Sequence, residues 1–160
     1  MKGESRLDRA PASLDITLAG RFTFSASVLF SDAGRFAGMT DIRFGSISLD
    51  CADPRPLAEF WAGLLGGEIA FASDAFVAVR LENLWLTAVR VENHQPPTWP
   101  QDATPKQMHL DLAVKELDAT SAKVVRLGAT RCEFQPAPET YLVFLDPAGH
   151  PFCLTTQIPE

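Results

Sequence analysis

The sequence predicts an α+β fold built from two consecutive βαβββ modules. One order of elements can be read twice along the chain: an alternating strand, an amphipathic helix and three short strand-like runs. The dipeptide Leu-Gly ends both helical runs, at Leu65-Gly66 and Leu127-Gly128. With 160 residues, 46% hydrophobic and 21% charged, the chain has the size and composition of one globular domain with a core.

The first module covers residues 41–91. Residues 42–51 alternate in polarity and predict a strand. Asp53 is placed as an N-cap, with Pro54 in the first turn of the helix and glycines at its end. The apolar stripe of that helix consists of Leu57, Phe60, Trp61 and Leu64. The three strand-like runs are 68–72, 76–81 and 84–91.

The second module covers residues 107–156. An alternating strand over 107–114 precedes a helix that ends at Gly128. The helical stripe is Leu117, Thr120, Val124 and Leu127, and the strand-like runs are 130–134, 140–145 and 151–156. Residues 92–106 carry four prolines and predict a linker, because proline disrupts helices and central strands.

Residues 1–40 do not follow the pattern of the two modules and predict an N-terminal extension to a domain over 41–160. Residues 16–30 predict a strand or a short hairpin, but no neighbouring pattern repeats it. Met39 directly precedes the well-patterned part, so the extension is either disordered or the product of a start assigned too far upstream. Mass spectrometry of the natively expressed protein distinguishes these alternatives.

Charge and composition exclude several classes of function. A formal net charge of −6 with scattered basic residues argues against a nucleic-acid partner. No apolar run reaches the roughly 20 residues of a membrane span, and the polar start with the interruptions at Asp15 and Arg21 leads us to expect no secretory signal. Three cysteines without CxxC spacing predict free thiols in the cytoplasm. Nucleophile-elbow, phosphate-loop and dinucleotide-binding motifs do not occur.

Three stretches carry a family resemblance: LDCADPRPLAEFWAGLLGG at 49–67, HLDLAV at 109–114 and DPAGHPFCL at 146–154. In this order they are similar to the vicinal oxygen chelate (glyoxalase/bleomycin-resistance/extradiol-dioxygenase) superfamily, and most of all to its glyoxalase-like domain branch. The resemblance covers the modules and implies curved mixed sheets that form a cup for a ligand or metal. It also implies that a homodimer is an alternative to a single chain.

Period-two alternation assigns the first strand of each module to two faces. The apolar sets, expected under the helices, are Ile47, Leu49 and Cys51 and then Leu110, Leu112 and Val114. The opposite sets, expected to face the cup, are Ser46, Ser48 and Asp50 and then His109, Asp111 and Ala113. In the last strand, Cys153 and Thr155 lie opposite Phe152 and Leu154.

The resemblance implies four metal positions: Ser46, then Thr87 or Val89, then His109, then Cys153. Only His109 and Cys153 are good ligands for a divalent metal, and a catalytic metal normally needs at least three protein ligands. Asp111 lies two residues further along its strand than His109, roughly 6–7 Å away, so we expect it not to supply the missing ligand. The prediction is therefore no cofactor, with a metal held by His109 and Cys153 as the alternative.

Three functions remain open. The first is binding of a small, partly apolar molecule in the cup, with Ser46, Ser48, Trp85, Thr87 and Cys153 as ligand-binding residues. The second is a lyase or isomerase that uses His109 with Asp111 or Asp50 for proton transfer. The third is a metal-dependent glyoxalase or dioxygenase with an atypical site.

Each of these residues also has a purely structural interpretation. His109 could be a core histidine, the carboxylates of Asp50 and Asp111 on central strands could bond to backbone groups, and Cys153 could act as a small hydrophobe. Asp146 to Gly149 matches a type I turn without any chemistry, which leaves His150 on the surface. Trp99 in the linker could cover the entrance, and Tyr141 and Phe144 have opposite parity, so one of them faces the ligand.

Overall fold

A computed structural model describes residues 15–18, 22–25, 43–101 and 103–159. The chain divides into two compact units, residues 1–42 and 43–160. In the first unit β1 (Asp15–Leu18) and β2 (Phe22–Ser25) pair as an antiparallel hairpin, one of the two alternatives predicted there. The rest of the predicted extension, including its expected end near Met39, lies outside the described residues.

The second unit contains both predicted modules and confirms the α+β fold. Its first module comprises β3 (Ser46–Cys51), α1 (Pro54–Leu65), β4 (Glu68–Ala72), β5 (Phe76–Arg80) and β6 (Trp85–Arg90). Its second comprises β7 (Leu110–Ala113), α2 (Leu117–Leu127), β8 (Thr130–Arg131), β9 (Tyr141–Leu145) and β10 (Pro151–Thr155). In the described part of 92–106 there is neither helix nor strand. Neither of the two helices is long and apolar enough to cross a membrane.

The helix ends follow the predicted chemistry. The Asp53 side chain accepts a hydrogen bond from the Arg55 amide at 3.3 Å, and α1 ends at Gly66, whose φ is 71°. Helix α2 ends at Gly128 with a φ of 113°. A positive φ suits glycine because it has no Cβ to clash with the backbone. These glycines explain why Leu-Gly ends both helices.

Strand β8 is shorter than the predicted 130–134. The Gln135 side chain donates hydrogen bonds to the carbonyl oxygens of Cys132 and Val143, at 2.8 and 2.9 Å, and accepts one from the Val143 amide at 2.8 Å. The Cys132 amide still donates to the Val143 carbonyl at 3.1 Å, but Gln135 takes the Cys132 carbonyl and the Val143 amide, the two groups that would bond each other in a longer β8. The first strand of this module is also shorter than predicted, and His109 immediately precedes it.

The eight strands of the second unit form two four-stranded mixed sheets that do not close into a barrel. Their orders are β3-β6-β5-β4 and β7-β10-β9-β8. In each, the first strand of the module pairs in parallel with the fourth, and the other pairs are antiparallel. The prediction that Asp50 and Asp111 lie on central strands is wrong, since β3 and β7 are the edges of these sheets. Both side chains are exposed, so their carboxylates need no buried partner.

The helix-facing sides of both sheets meet in one core. Phe60 and Trp61 of α1 pack against Phe152 of β10, with ring centroids 5.8 and 5.3 Å apart. Phe144 also stacks on Phe152, at 5.8 Å. Cys51 is fully buried in this core, and the predicted apolar residues Leu49, Leu110, Leu112 and Val114 pack against it. The alternation assigned to the first strands is confirmed for these five residues, whereas Ile47 is half-buried and is not part of this core cluster.

A buried carboxylate joins the two modules. Asp146 is only 4% exposed and accepts a hydrogen bond from Trp61 Nε1 at 3.1 Å. It also accepts bonds from the amides of Ala148 and His150, at 3.0 and 2.9 Å, and contacts His150 Nδ1 at 3.1 Å. The predicted turn is present, because the Gly149 amide donates to the Asp146 carbonyl at 2.9 Å. The prediction of a surface His150 is wrong: its side chain is 18% exposed, because it packs against this carboxylate.

Candidate functional site

The outer face of the second sheet carries a pocket of about 320 Å³. Small-molecule sites typically occupy about 300–1,000 Å³, so this volume suits a small ligand. The walls come from β7, β9, β10, the proline-rich linker and the C-terminal segment. The lining residues are Trp99, Lys106, His109, Asp111, Tyr141, Val143, Pro151, Cys153, Thr155 and Ile158.

Strand register explains why these side chains converge. Cys153 of β10 is the direct partner of Asp111 on β7 and of Val143 on β9. Neighbouring partners in a sheet point to the same face, so all three line the pocket. Residues of the opposite parity on β10 enter the core instead. By the same rule Tyr141 faces the pocket and Phe144 faces the core, so of these two residues Tyr141 is the one that can face a ligand.

Three polar side chains meet at the pocket floor. His109 Nε2 lies 3.3 Å from Asp111 Oδ1 and 3.9 Å from Cys153 Sγ. One potential ligand atom from each residue lies within 4.8 Å of the others. The prediction that Asp111 lies too far from His109 to share a ligand position with it is wrong in its distance. The backbone separates the two residues along the strand, but their side chains bend toward each other.

The electrostatics of this group keep the cysteine neutral. Burial, and then the neighbouring Asp111 carboxylate, raise the pKa of the Cys153 thiol to about 11. At neutral pH the sulfur is therefore a protonated thiol, whereas nucleophilic attack requires a thiolate. A carboxylate can only accept, so His109 donates from Nε2 to Asp111, and a neutral ring leaves Nδ1 as an acceptor.

The chain resembles known proteins both in sequence and in fold. The model of the family described as "Glyoxalase-like domain" matches residues 46–155, more than half of the chain. The chain belongs to the glyoxalase-like domain family. No curated protein matches the sequence.

Solved structures agree with this family in fold. The fosfomycin resistance protein FosX from Mesorhizobium loti superposes with a TM-score of 0.55 and 17% identity, over 75% of this chain and 94% of that one. A variant of FosX from Listeria monocytogenes, complexed with Mn(II) and 1S,2S-dihydroxypropylphosphonic acid, gives 0.55 and 16% over 75% and 93%. A glyoxalase-related enzyme from Fulvimarina pelagi gives 0.51 and 18% over 71% and 86%. At these identities the likeness establishes the fold alone.

The first module of this glyoxalase-like domain has polar residues at the positions that correspond to the His109 group of the second module. Ser46 Oγ lies 3.5 Å from Thr87 Oγ1, and these residues occupy the positions that His109 and Cys153 occupy in module two. Thr87, rather than Val89, is therefore the residue that meets Ser46. Among the residues that the structure describes, no side chain of module one lines the pocket, so Ser46, Ser48, Asp50, Trp85 and Thr87 stay apart from the His109 group.

Sequence reasoning did not identify Lys106 as a pocket residue. Its ammonium lies 4.6 Å from the centre of the Trp99 ring, and both residues come from the linker. An irregular segment has no periodicity from which the direction of a side chain could be inferred. Trp99, suggested as a cover for the entrance, does line the pocket, and its Nε1 donates to the Phe134 carbonyl at 3.2 Å.

Proposed function

We propose that this glyoxalase-like domain binds a small, partly apolar molecule in the pocket of its second module, without a bound metal. The observation that carries the proposal is the make-up of the pocket. Aromatic and aliphatic surfaces from Trp99, Tyr141, Val143 and Ile158 surround a few convergent polar groups. Apolar walls with a small number of placed polar groups are typical of small-molecule sites.

His109 is proposed as the orienting polar group. Its contact with Asp111 selects the tautomer with the proton on Nε2, which leaves Nδ1 to accept a hydrogen bond from a ligand. Cys153 contributes a neutral thiol to the same floor. Ser46, Ser48, Trp85 and Thr87, predicted as ligand-binding residues, line no part of this pocket, so the proposal no longer depends on them.

The test is a ligand screen by thermal shift and native mass spectrometry on the purified protein. A compound that raises Tm in the native protein should lose most of that effect in His109→Ala. His94→Ala is the matched control, because His94 lies outside the pocket and contacts the Ala148 carbonyl instead. Equal binding by His109→Ala and the native protein would contradict the proposed site.

A metalloenzyme of the glyoxalase or dioxygenase kind is the second candidate, and the proximity of His109, Asp111 and Cys153 supports it. Together they offer nitrogen, oxygen and sulfur donors and reach the minimum of three protein ligands. A divalent metal bound there would act as a Lewis acid on a ligand oxygen. Because a thiol coordinates a divalent metal as the thiolate, metal binding there would release the Cys153 proton. Elemental analysis of purified protein decides: stoichiometric metal that Asp111→Asn abolishes supports this candidate over the first.

Acid–base catalysis by a lyase or isomerase requires His109 and Asp111 at the same pocket. The predicted alternative partner, Asp50, belongs to the other module and does not line it. If such turnover exists, we expect His109→Ala to abolish it and Asp50→Ala to leave it intact. Loss of turnover in Asp50→Ala with an intact fold would restore the shared cup as the active site.

We also propose that the chain forms a homodimer in the cytoplasm. Phe44 and Met108 are each 68% exposed and Phe134 is 52% exposed, and the proposal is that a second copy of the chain covers them. The three free cysteines are consistent with a reducing compartment. Light scattering coupled to size exclusion measures the oligomeric state of the native protein and of Met108→Lys. If both are monomers at micromolar concentration, the proposed dimer is wrong.

A further inference from the structure

We infer that the molecule bound in this pocket is a small carboxylic acid, with its carboxylate against Lys106 and Tyr141 and a flat apolar body on the remaining wall. This inference rests on the proposed function and specifies its ligand class. It follows from an imbalance between the hydrogen-bond donors and acceptors that the pocket leaves available.

The first unsatisfied donor is the Lys106 ammonium. It is half-buried and stacks on Trp99, but in the described part of the chain no carboxylate lies within ion-pair distance of it. Its charge reaches the pocket floor, where it partly opposes the rise in the pKa of Cys153. A half-buried cation gains most from an anionic partner, because the surrounding apolar surface screens the attraction less than water does.

The second unsatisfied donor is the Tyr141 hydroxyl, which has no hydrogen-bond partner among the residues described. Two other polar groups of the pocket are already occupied. Trp99 Nε1 donates to the Phe134 carbonyl, and Thr155 Oγ1 donates to the Thr140 carbonyl while accepting from the Gln157 amide. Two donors, one of them cationic, and one acceptor, His109 Nδ1, therefore remain for the ligand.

The one carboxylate among the residues that line the pocket is already hydrogen-bonded within the protein. Asp111 Oδ1 accepts from His109, and the carboxylate neighbours the Cys153 thiol, so it gains less from a ligand cation than a carboxylate without partners would. A ligand ammonium would also meet repulsion from Lys106. A wholly apolar ligand would cover Lys106 and Tyr141 without replacing their bonds to water, which costs free energy. A carboxylate has an oxygen for each of these two donors.

The rest of the pocket defines the body of the acid. The hydrogen bond from Nε1 fixes the indole of Trp99, and one of its faces is covered by Lys106. Tyr141, Val143 and Ile158 supply the other apolar surface. A volume of about 320 Å³ accommodates one small ring or a short chain together with the acid group, but not a large multi-ring molecule.

The experiment measures affinity by calorimetry for two matched sets: phenylacetate, phenylacetamide and phenethylamine, and hexanoate, hexanamide and hexylamine. Within each set, we expect the acid to bind about tenfold more tightly than the amide, as for a hydrogen bond to a charged group, and the amine to bind most weakly. Lys106→Met should remove the advantage of the acid and leave the amide unchanged. Tyr141→Phe should reduce it in part, and Lys115→Met, outside the pocket, should preserve it.

The outcomes separate the two proposals. If acid and amide bind equally, or if Lys106→Met retains the preference for the acid, the inference is wrong while the proposed binding function stands. If no member of either set binds, both the inference and the proposed pocket function fail. Tighter binding of the amines would reverse the assigned charge preference and overturn the inference alone.

Discussion

Removing the Asp146 side chain should destabilise the protein far more than a turn residue normally does. The carboxylate accepts hydrogen bonds from the Trp61 indole, from two backbone amides and from His150. It connects α1 of the first module with the β9–β10 turn of the second. We therefore expect Asp146→Ala to weaken the contact between modules as well as the turn.

The structure allows the magnitude to be estimated. Trp61 is 1% exposed, so its Nε1 cannot recover a hydrogen bond from bulk water once the carboxylate is gone. A buried donor left unsatisfied costs about 1–3 kcal/mol, and each hydrogen bond to a charged group contributes about 1.5–3 kcal/mol. Because water can rehydrate the turn amides and His150 in part, we expect a total loss of about 3–5 kcal/mol. Asp146→Asn retains an oxygen for the amides but presents NH₂ to another donor, so about 2 kcal/mol is expected.

Urea unfolding followed by tryptophan fluorescence measures these losses, and calorimetry should show Tm lower by about 6–20 °C for Asp146→Ala. Asp50→Ala is the matched control, since Asp50 is exposed, and it should change stability by less than about 0.5 kcal/mol. A loss below about 1 kcal/mol in Asp146→Ala would refute the reasoning, because the Trp61 bond alone should exceed it.

Three further changes test separate parts of the fold. Gly67→Ala should cost about 1–3 kcal/mol in urea unfolding, because a Cβ there would lie 2.6 Å from a leucine side chain and 2.8 Å from a backbone oxygen; Gly45→Ala, with its nearest atom at 3.9 Å, should be neutral. Gln135→Ala should cost about 1–2 kcal/mol and speed amide exchange at Val143, whose backbone groups it holds, and unchanged exchange would contradict that role. Burial raises the pKa of Cys51 from about 9 to about 11, so the folded thiol keeps its proton where the unfolded one loses it; stability should be unaffected below pH 8 and fall between pH 9 and 11. Cys51→Ala should show a smaller fall over that interval, and an identical pH profile would contradict the assignment.

The architecture was predictable because it depends on local chemistry. Asp53, Gly66 and Gly128 define helix ends through backbone geometry that neighbouring residues alone impose. Alternation along the first strands identified which side of each sheet faces the core, since side chains on a strand must point to opposite faces. The extent of β8 was not predictable, because it depends on the side chain of Gln135 reaching the backbone of Val143.

The candidate site was predictable only in part. His109 and Cys153 emerged from the family resemblance, and Asp111 from the alternation of its strand. Their distances could not be inferred from strand rise, because side-chain torsions bring His109 and Asp111 into contact while their backbone positions stay apart. Lys106 lies in an irregular segment whose path is determined by contacts with distant residues, so no local pattern indicated it.

The sequence by itself indicated the family through the resemblance of three motifs. It also determined the two modules and the faces of the first strands, because these follow from short-range periodicity and capping. Only the tertiary structure decided which polar residues meet. It buried Asp146 against Trp61, drew Asp111 toward His109 and Cys153, and left the polar face of module one outside that group. The physical reason is that such contacts depend on the packing of elements far apart in the chain, where a shift of one residue or one side-chain torsion makes or breaks a hydrogen bond.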